Sequence, residues 1–129
     1  MNKVILTGRL VESNILNNVN ERYFLKNVLA VKKNYKDKNG EVGTNFIKVI
    51  FWGQNAKFIH DYTNKGDLIG VVGSWENRTY ETPEGKTLYI SECVVESTEI
   101  LNKVNRTNNI INNNDVPDYD DISGGDLPF

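Results

Sequence analysis

One short segment of this chain changes its hydrophobic period, and its place in the order limits the folds available. From Gln54 to Asn64 the apolar residues Ala56, Ile59 and Tyr62 recur at helical spacing, with Gly66 where a helix would stop. The segments on either side read as strands. KVILTGRLV (3–11) is a β-rich run broken by Gly8, YFLKNVLAVKKNY (23–35) is a longer strand closed by the hairpin signal Asn39-Gly40, and TNFIKVIFW (44–52) is a third. DLIGVVGSWENRTY (67–80) follows the helix, with Gly70 and Gly73 marking a bulge or close bend, and KTLYISECVVESTEIL (86–101) comes last. Three strands, a helix and two strands match the five-stranded Greek-key barrel of the OB-fold, whose outer face takes oligonucleotides and oligosaccharides. The helix is expected to close the barrel bottom, with its apolar residues in the core.

After Leu101 the periodicity disappears. Asn-rich, aliphatic-poor sequence buries too little apolar area to offset its ordering entropy. The expected division is therefore a barrel over residues 1–102 and a disordered acidic tail over 103–129. Charge divides at nearly the same place: residues 1–106 carry all fifteen Lys and Arg against twelve acids, whereas residues 107–129 carry five aspartates and no base. A mildly basic body with an acidic tail points to nucleic-acid binding or to an interaction tail. No apolar run is long enough to cross a bilayer and the N-terminus lacks a secretory pattern, so a cytoplasmic protein without membrane partners is expected. Cys93 and His60 are each the single residue of their kind. No internal disulfide, metal centre or cofactor is expected, and with no nucleophile arrangement or phosphate loop in view, neither is an enzyme.

Strand alternation supplies the candidate site. In the third strand Ile47, Val49 and Phe51 share one face, a plausible interior, while Phe46, Lys48, Ile50 and Trp52 share the other. In the fourth, Ser74, Glu76, Arg78 and Tyr80 again mix aromatic and charge. Lys32, Lys33 and Lys36 crowd around Tyr35 at the end of the second strand. Aromatics interleaved with cations suit single-stranded nucleic acid, because each unpaired base offers a π-face and each linkage a negative charge. Alternation alone leaves Phe46 and Trp52 open between binding surface, core and subunit interface, and each of the three lysines, taken singly, reads first as an ordinary solvated loop charge.

NKVILTGRL, NYKDKNGE, TNFIKVIFWG, KGDLIGVVGSWENRTYETPEGKTLY and ISECVVEST, in that order, with an acidic tail ending in Pro-Phe, resemble the bacterial single-stranded DNA-binding protein family and its phage-encoded members. The resemblance runs over nearly all of residues 2–101 and resumes at the C-terminus. It implies stacking roles for Tyr35, Phe46, Trp52 and Tyr80, and phosphate contacts for Lys48 and Arg78; beside these, Lys32, Lys33 and Lys36 around Tyr35 are expected to neutralise further phosphates. It further implies a homo-oligomer, commonly a tetramer, paired in part through the first strand, where Val4, Ile5, Leu6 and Val11 leave both faces apolar. Two positions depart from the family pattern. Glu76 stands where members are usually neutral or basic, and Trp75 replaces an aliphatic residue and is expected to pack. The short, Asn-rich linker fits a phage-encoded protein.

The end of the chain, DYDDISGGDLPF, is similar to the family's docking tip. The resemblance implies that Asp126, Leu127, Pro128 and Phe129 bind replication, recombination and repair proteins. The terminal ring would enter an apolar pocket and its carboxylate would meet a base. Here ISGG thins the charge next to the tip. Rival readings are an OB protein specialised for RNA or replication restart, and an adaptor whose tail alone matters.

Overall fold

The computed structural model describes residues 1–104. Its elements in chain order are β1 (Val4–Leu10), β2 (Asn17–Val19), β3 (Arg22–Lys36), β4 (Val42–Trp52), α1 (Gln54–Tyr62), β5 (Leu68–Glu81) and β6 (Thr87–Asn102). The strands follow one another in the sheet as β1-β5-β6-β4-β3-β2, and β1 also pairs with β3 through Arg9 opposite Ala30 and Leu10 opposite Leu29. That second pairing closes five strands into a barrel and leaves β2 as an appendage on β3. All neighbours are antiparallel except β4 and β6, which run parallel where Val49 and Ile50 meet Cys93 and Val94. A closed five-stranded barrel with one helix after the third barrel strand is the expected OB architecture.

The interior follows the pleat. Leu25 and Leu29 from β3, Val49 and Phe51 from β4, Ile69 and Val71 from β5, and Cys93 and Val95 from β6 form one buried cluster. Ala56 and Ile59 of α1 join it from below, so the helix plugs the barrel as its period required. Tyr62 does not: its side chain is exposed and its ring lies 5.3 Å from Phe58. The helix ends at Tyr62, and Thr63 turns inward instead, its hydroxyl donating to the Ile59 carbonyl at 2.6 Å while Asn14 Nδ2 donates to its own carbonyl at 3.1 Å. A residue on the last helical turn is aimed by how the chain leaves, which period alone does not encode.

Of the two glycines in the fourth expected strand, Gly73 marks a bulge. Pairing steps from Val72 opposite Ser97 to Gly73 opposite Val95, leaving Glu96 as the extra residue on β6. A Cβ on Gly73 would collide with the Val94 carbonyl oxygen and the Cys93 sulfur.

The short strand β2 is an addition to the five strands expected from sequence. It pairs with β3 through a two-residue turn, Asn20-Glu21, with Val19 opposite Arg22. Both turn residues have positive φ, 51° and 65°, as the tight turns that match strand twist require. Glycine usually fills such positions, so Asn-Glu gives no hairpin signal. The loop leading into β2 is tied down by Asn27, a buried β3 side chain that accepts from Glu12 N at 3.0 Å and donates to Glu12 O at 2.9 Å and Asn14 Oδ1 at 2.9 Å.

Candidate nucleic-acid interface

The pairing register decides which alternating residues share a face. Across β3 and β4, Phe24 stands opposite Trp52, Lys26 opposite Ile50, Val28 opposite Lys48, Ala30 opposite Phe46 and Lys32 opposite Thr44. Directly opposed residues point the same way, so these form one outer face. On the far side of β4, the outward Ile50 pairs with Val94 of β6. Val94 is opposite Ser74, Ile90 opposite Arg78 and Leu88 opposite Tyr80, which brings the outward residues of β5 onto that same face. Phe46, Lys48, Trp52, Lys32, Arg78 and Tyr80 thus lie on one side of the barrel. Trp75 is opposite the core residue Cys93 and belongs to the other face; its side chain is 40% exposed, so it packs only in part.

Each aromatic on the face has a local reason for its exposure. Phe46 is 66% exposed because its partner across the ladder is only Ala30. Tyr80 stands near the end of the β5–β6 hairpin, beyond the barrel body, and is exposed together with Leu88. Tyr35 lies within the irregular stretch between Lys32 and Lys36, where the pairing register shifts; its ring is exposed, with Lys33 Nζ at 5.7 Å from the centroid. Trp52 is different. It is half-buried, with the Phe24 ring at 5.4 Å and the Arg22 guanidinium at 4.5 Å over its own. From Phe46 to Trp52 the strand advances about 20 Å, so the two rings can serve different bases of one strand.

Ile50, on the outward parity, is nevertheless buried. It lines a groove of about 600 Å³ with Phe24, Trp52, Arg78, Glu92 and the β2 residues Asn17 and Asn18. The added hairpin and the cross-strand pair Arg78–Glu92 flank that position, so parity gives direction while neighbours set depth. Phe24 and Lys26 are functional candidates that inspection of the sequence missed. They alternate correctly within YFLKN, and only the register with Trp52 and Ile50 brings them to the site.

Cations dominate the face. Lys32 and Lys48 are exposed on it and Lys26 Nζ lies 6.0 Å from the Phe24 ring, whereas the register does not bring Lys33, half-buried on the opposite parity to Lys32, or the exposed Lys36, beyond the register shift, onto this face. Two acids interrupt them. Glu76 stands directly opposite Glu92, and Glu92 accepts from Arg78 Nε at 3.1 Å. Arg78 is therefore partly committed to a carboxylate, which lowers the charge it offers to a phosphate. Cys93, behind the face, is buried; desolvation, with help from the Glu96 carboxylate, pushes its thiol above the ordinary 9.0. Such a thiol is a packing residue and a poor nucleophile. The expected acidic tail and its tip Asp126, Leu127, Pro128 and Phe129 lie outside the described residues.

Comparison with known proteins identifies the family from sequence and the fold from structure. The model of the single-strand binding protein family matches residues 1–101. Single-stranded DNA-binding protein 4 of Streptococcus agalactiae is 34% identical, the alignment covering 100% of this chain and 99% of that one. Single-stranded DNA-binding protein 1 of Streptococcus pyogenes is 35% identical with the same coverage. Among solved structures, a Plasmodium falciparum SSB in complex with ssDNA superposes with a TM-score of 0.71 at 23% identity, over 79% of this chain and 96% of that one, a likeness of fold.

Proposed function

The chain belongs to the single-strand binding protein family, and from that premise we propose that it binds single-stranded DNA without strong sequence preference, as a non-catalytic coat. The observation that carries the reading is the single outer face on which Phe46, Trp52 and Tyr80 alternate with Lys32, Lys48 and Arg78. Each ring can stack an unpaired base for about 1–3 kcal/mol whatever the base, and each cation can neutralise a phosphate. Tyr35, with Lys33 and Lys36 beside it, extends the track past the end of the barrel. A duplex keeps its base faces stacked inside and offers this surface only phosphates.

The wider reading is protection of single strands during replication, recombination and repair. In it, Asp126, Leu127, Pro128 and Phe129 recruit partner enzymes, and the protein acts in the cytoplasm as a homo-tetramer. Support for self-association comes from β1: Ile5 is 75% exposed, a large apolar side chain on a strand whose neighbours are otherwise packed. Among the described residues no helix is long and apolar enough to cross a membrane.

Titration with oligo-dT and with duplex of equal length, at low and high salt, tests the binding function. Tight binding of oligo-dT, weak binding of duplex and an affinity that falls as salt rises are expected. Equal binding of both would reduce the face to a generic cationic patch. Sedimentation at micromolar protein tests the tetramer, which a monomer would reject.

A further inference from the structure

The half-buried state of Trp52 has an unusual cause. Its ring is covered by a cation from the same chain: Arg22 Cζ lies 4.5 Å from the ring centroid, while the Phe24 ring sits 5.4 Å away at a 39° tilt. Arg22 is the first residue of β3, immediately after the turn Asn20-Glu21. That turn holds a glutamate at φ 65°, a conformation a side chain of this type seldom adopts. The hairpin it closes is anchored from below by Asn27 and Asn14. The backbone is thus committed to placing Arg22 beside Trp52.

Arg22 is exposed and forms no ion pair among the described residues, where the pairs are Lys3–Glu96, His60–Asp61 and Arg78–Glu92. Its contact is therefore with the ring. A guanidinium is planar, always charged and weakly hydrated, so it can cover an indole much as a base would, and it can equally fork onto a phosphate. We propose that Arg22 is a displaceable cap on Trp52: in the free protein it shields the indole, and when a base stacks there it swings off to the neighbouring phosphate. An exposed cation–π contact is worth about two- to five-fold in an equilibrium constant, whereas stacking of a base is worth about five- to more than a hundred-fold. The exchange is favourable, and the cation gains a phosphate as it leaves. The cap would also keep a large apolar ring covered when no DNA is present.

This proposal rests on the single-stranded DNA reading, and one set of titrations separates the two. The full-length chain carries two tryptophans, so W75F leaves Trp52 as the sole reporter. In that background R22A and R22K are compared with Arg22 for acrylamide quenching and for oligo-dT affinity across a salt series. In the free protein R22A is expected to raise quenching of Trp52, and in the oligo-dT complex the difference should vanish. The slope of log affinity against log salt should become shallower by about 0.7, the share of one phosphate contact on a single strand. The two salt lines should cross, with R22A the tighter binder at high salt, where the phosphate contact is screened and no cap has to be displaced. R22K, which keeps the charge and loses the plate, should retain the slope while exposing the ring. Equal quenching in the free Arg22 and R22A proteins, or an unchanged slope, overturns the cap while leaving DNA binding in place. Failure of the Arg22 protein itself to bind oligo-dT overturns the DNA reading and the cap with it.

Discussion

Arg78 donates through Nε to Glu92 Oε2 at 3.1 Å, with the arginine side chain 43% exposed and the glutamate only 9%. The pair is lopsided: water already solvates the cation, while the acid depends on it. Glu76, directly across the ladder from Glu92, adds a second negative charge to the same spot. E92Q should therefore cost about 1–2 kcal/mol of stability, less than a fully buried pair because Arg78 keeps its water. It should also tighten DNA binding at low salt, because a carboxylate leaves the face and Arg78 is released. Urea unfolding and oligo-dT titration check the two halves; weaker DNA binding would mean that Glu92 serves chiefly to aim Arg78.

Phe46 and Phe51 lie five residues apart on β4 with opposite parity, 66% and 0% exposed. F46A removes the proposed stacking platform at an exposed position whose directly opposed residue is Ala30. Its oligo-dT affinity should drop by about 1–3 kcal/mol with little change in melting temperature. F51A empties the core and should cost about 3–5 kcal/mol of stability. If F46A melts like F51A and binds DNA normally, the parity of the whole strand is wrong.

That parity was legible only where the apolar run is interrupted: Lys48 is the one charged residue between Phe46 and Trp52 and marks its set as outward, while alternation left Phe46 and Trp52 themselves open between surface, core and interface. The element order was legible for the same reason: one change of period and the turn signals around it punctuate the barrel. Depth was not. Ile50 points outward yet is buried, because the added hairpin and the Arg78–Glu92 pair flank it. Tyr62 keeps helical spacing yet is exposed, because the chain turns at Thr63. The hairpin that delivers Arg22 to Trp52 was silent, since Asn20-Glu21 adopts a glycine-type turn without glycine. Local patterns report direction along one element, whereas depth and cross-strand neighbours are set by closure of the barrel.

Gly73 offers a test of that closure. The bulge at Glu96 brings the Val94 carbonyl and the Cys93 sulfur so close that a methyl at position 73 has no room, and the opposing atoms include backbone. G73A should cost more than about 2 kcal/mol, by the mechanism of overpacking. Gly70, three residues earlier on the same strand, would meet the Leu101 side chain at an ordinary 3.6 Å. G70A should therefore cost less than about 1 kcal/mol. Thermal unfolding of the two variants compares them directly; equal losses would show that glycine's backbone freedom, rather than the bulge, is what the strand requires.

The acidic stretch at the end of the chain shares a solvent with a cationic face, and electrostatics fixes the sign of its effect. Residues 107–129 hold five aspartates and no base, against the exposed Lys32, Lys36 and Lys48 of the barrel. Tethered to the same chain, those aspartates compete with phosphates for the lysines. Removal of residues 120–129, which takes three of them, should leave oligo-dT affinity intact or raise it. The gain should be largest at low salt and fade as the Debye length shrinks toward about 8 Å at physiological ionic strength. On the proposed docking role of the tip, removal of Phe129 alone should leave the salt dependence untouched, because the aspartates remain, while abolishing capture of partner enzymes. A clear loss of DNA affinity on truncation would instead assign the tail to the DNA-binding surface, and the division of labour between barrel and tip would have to be abandoned.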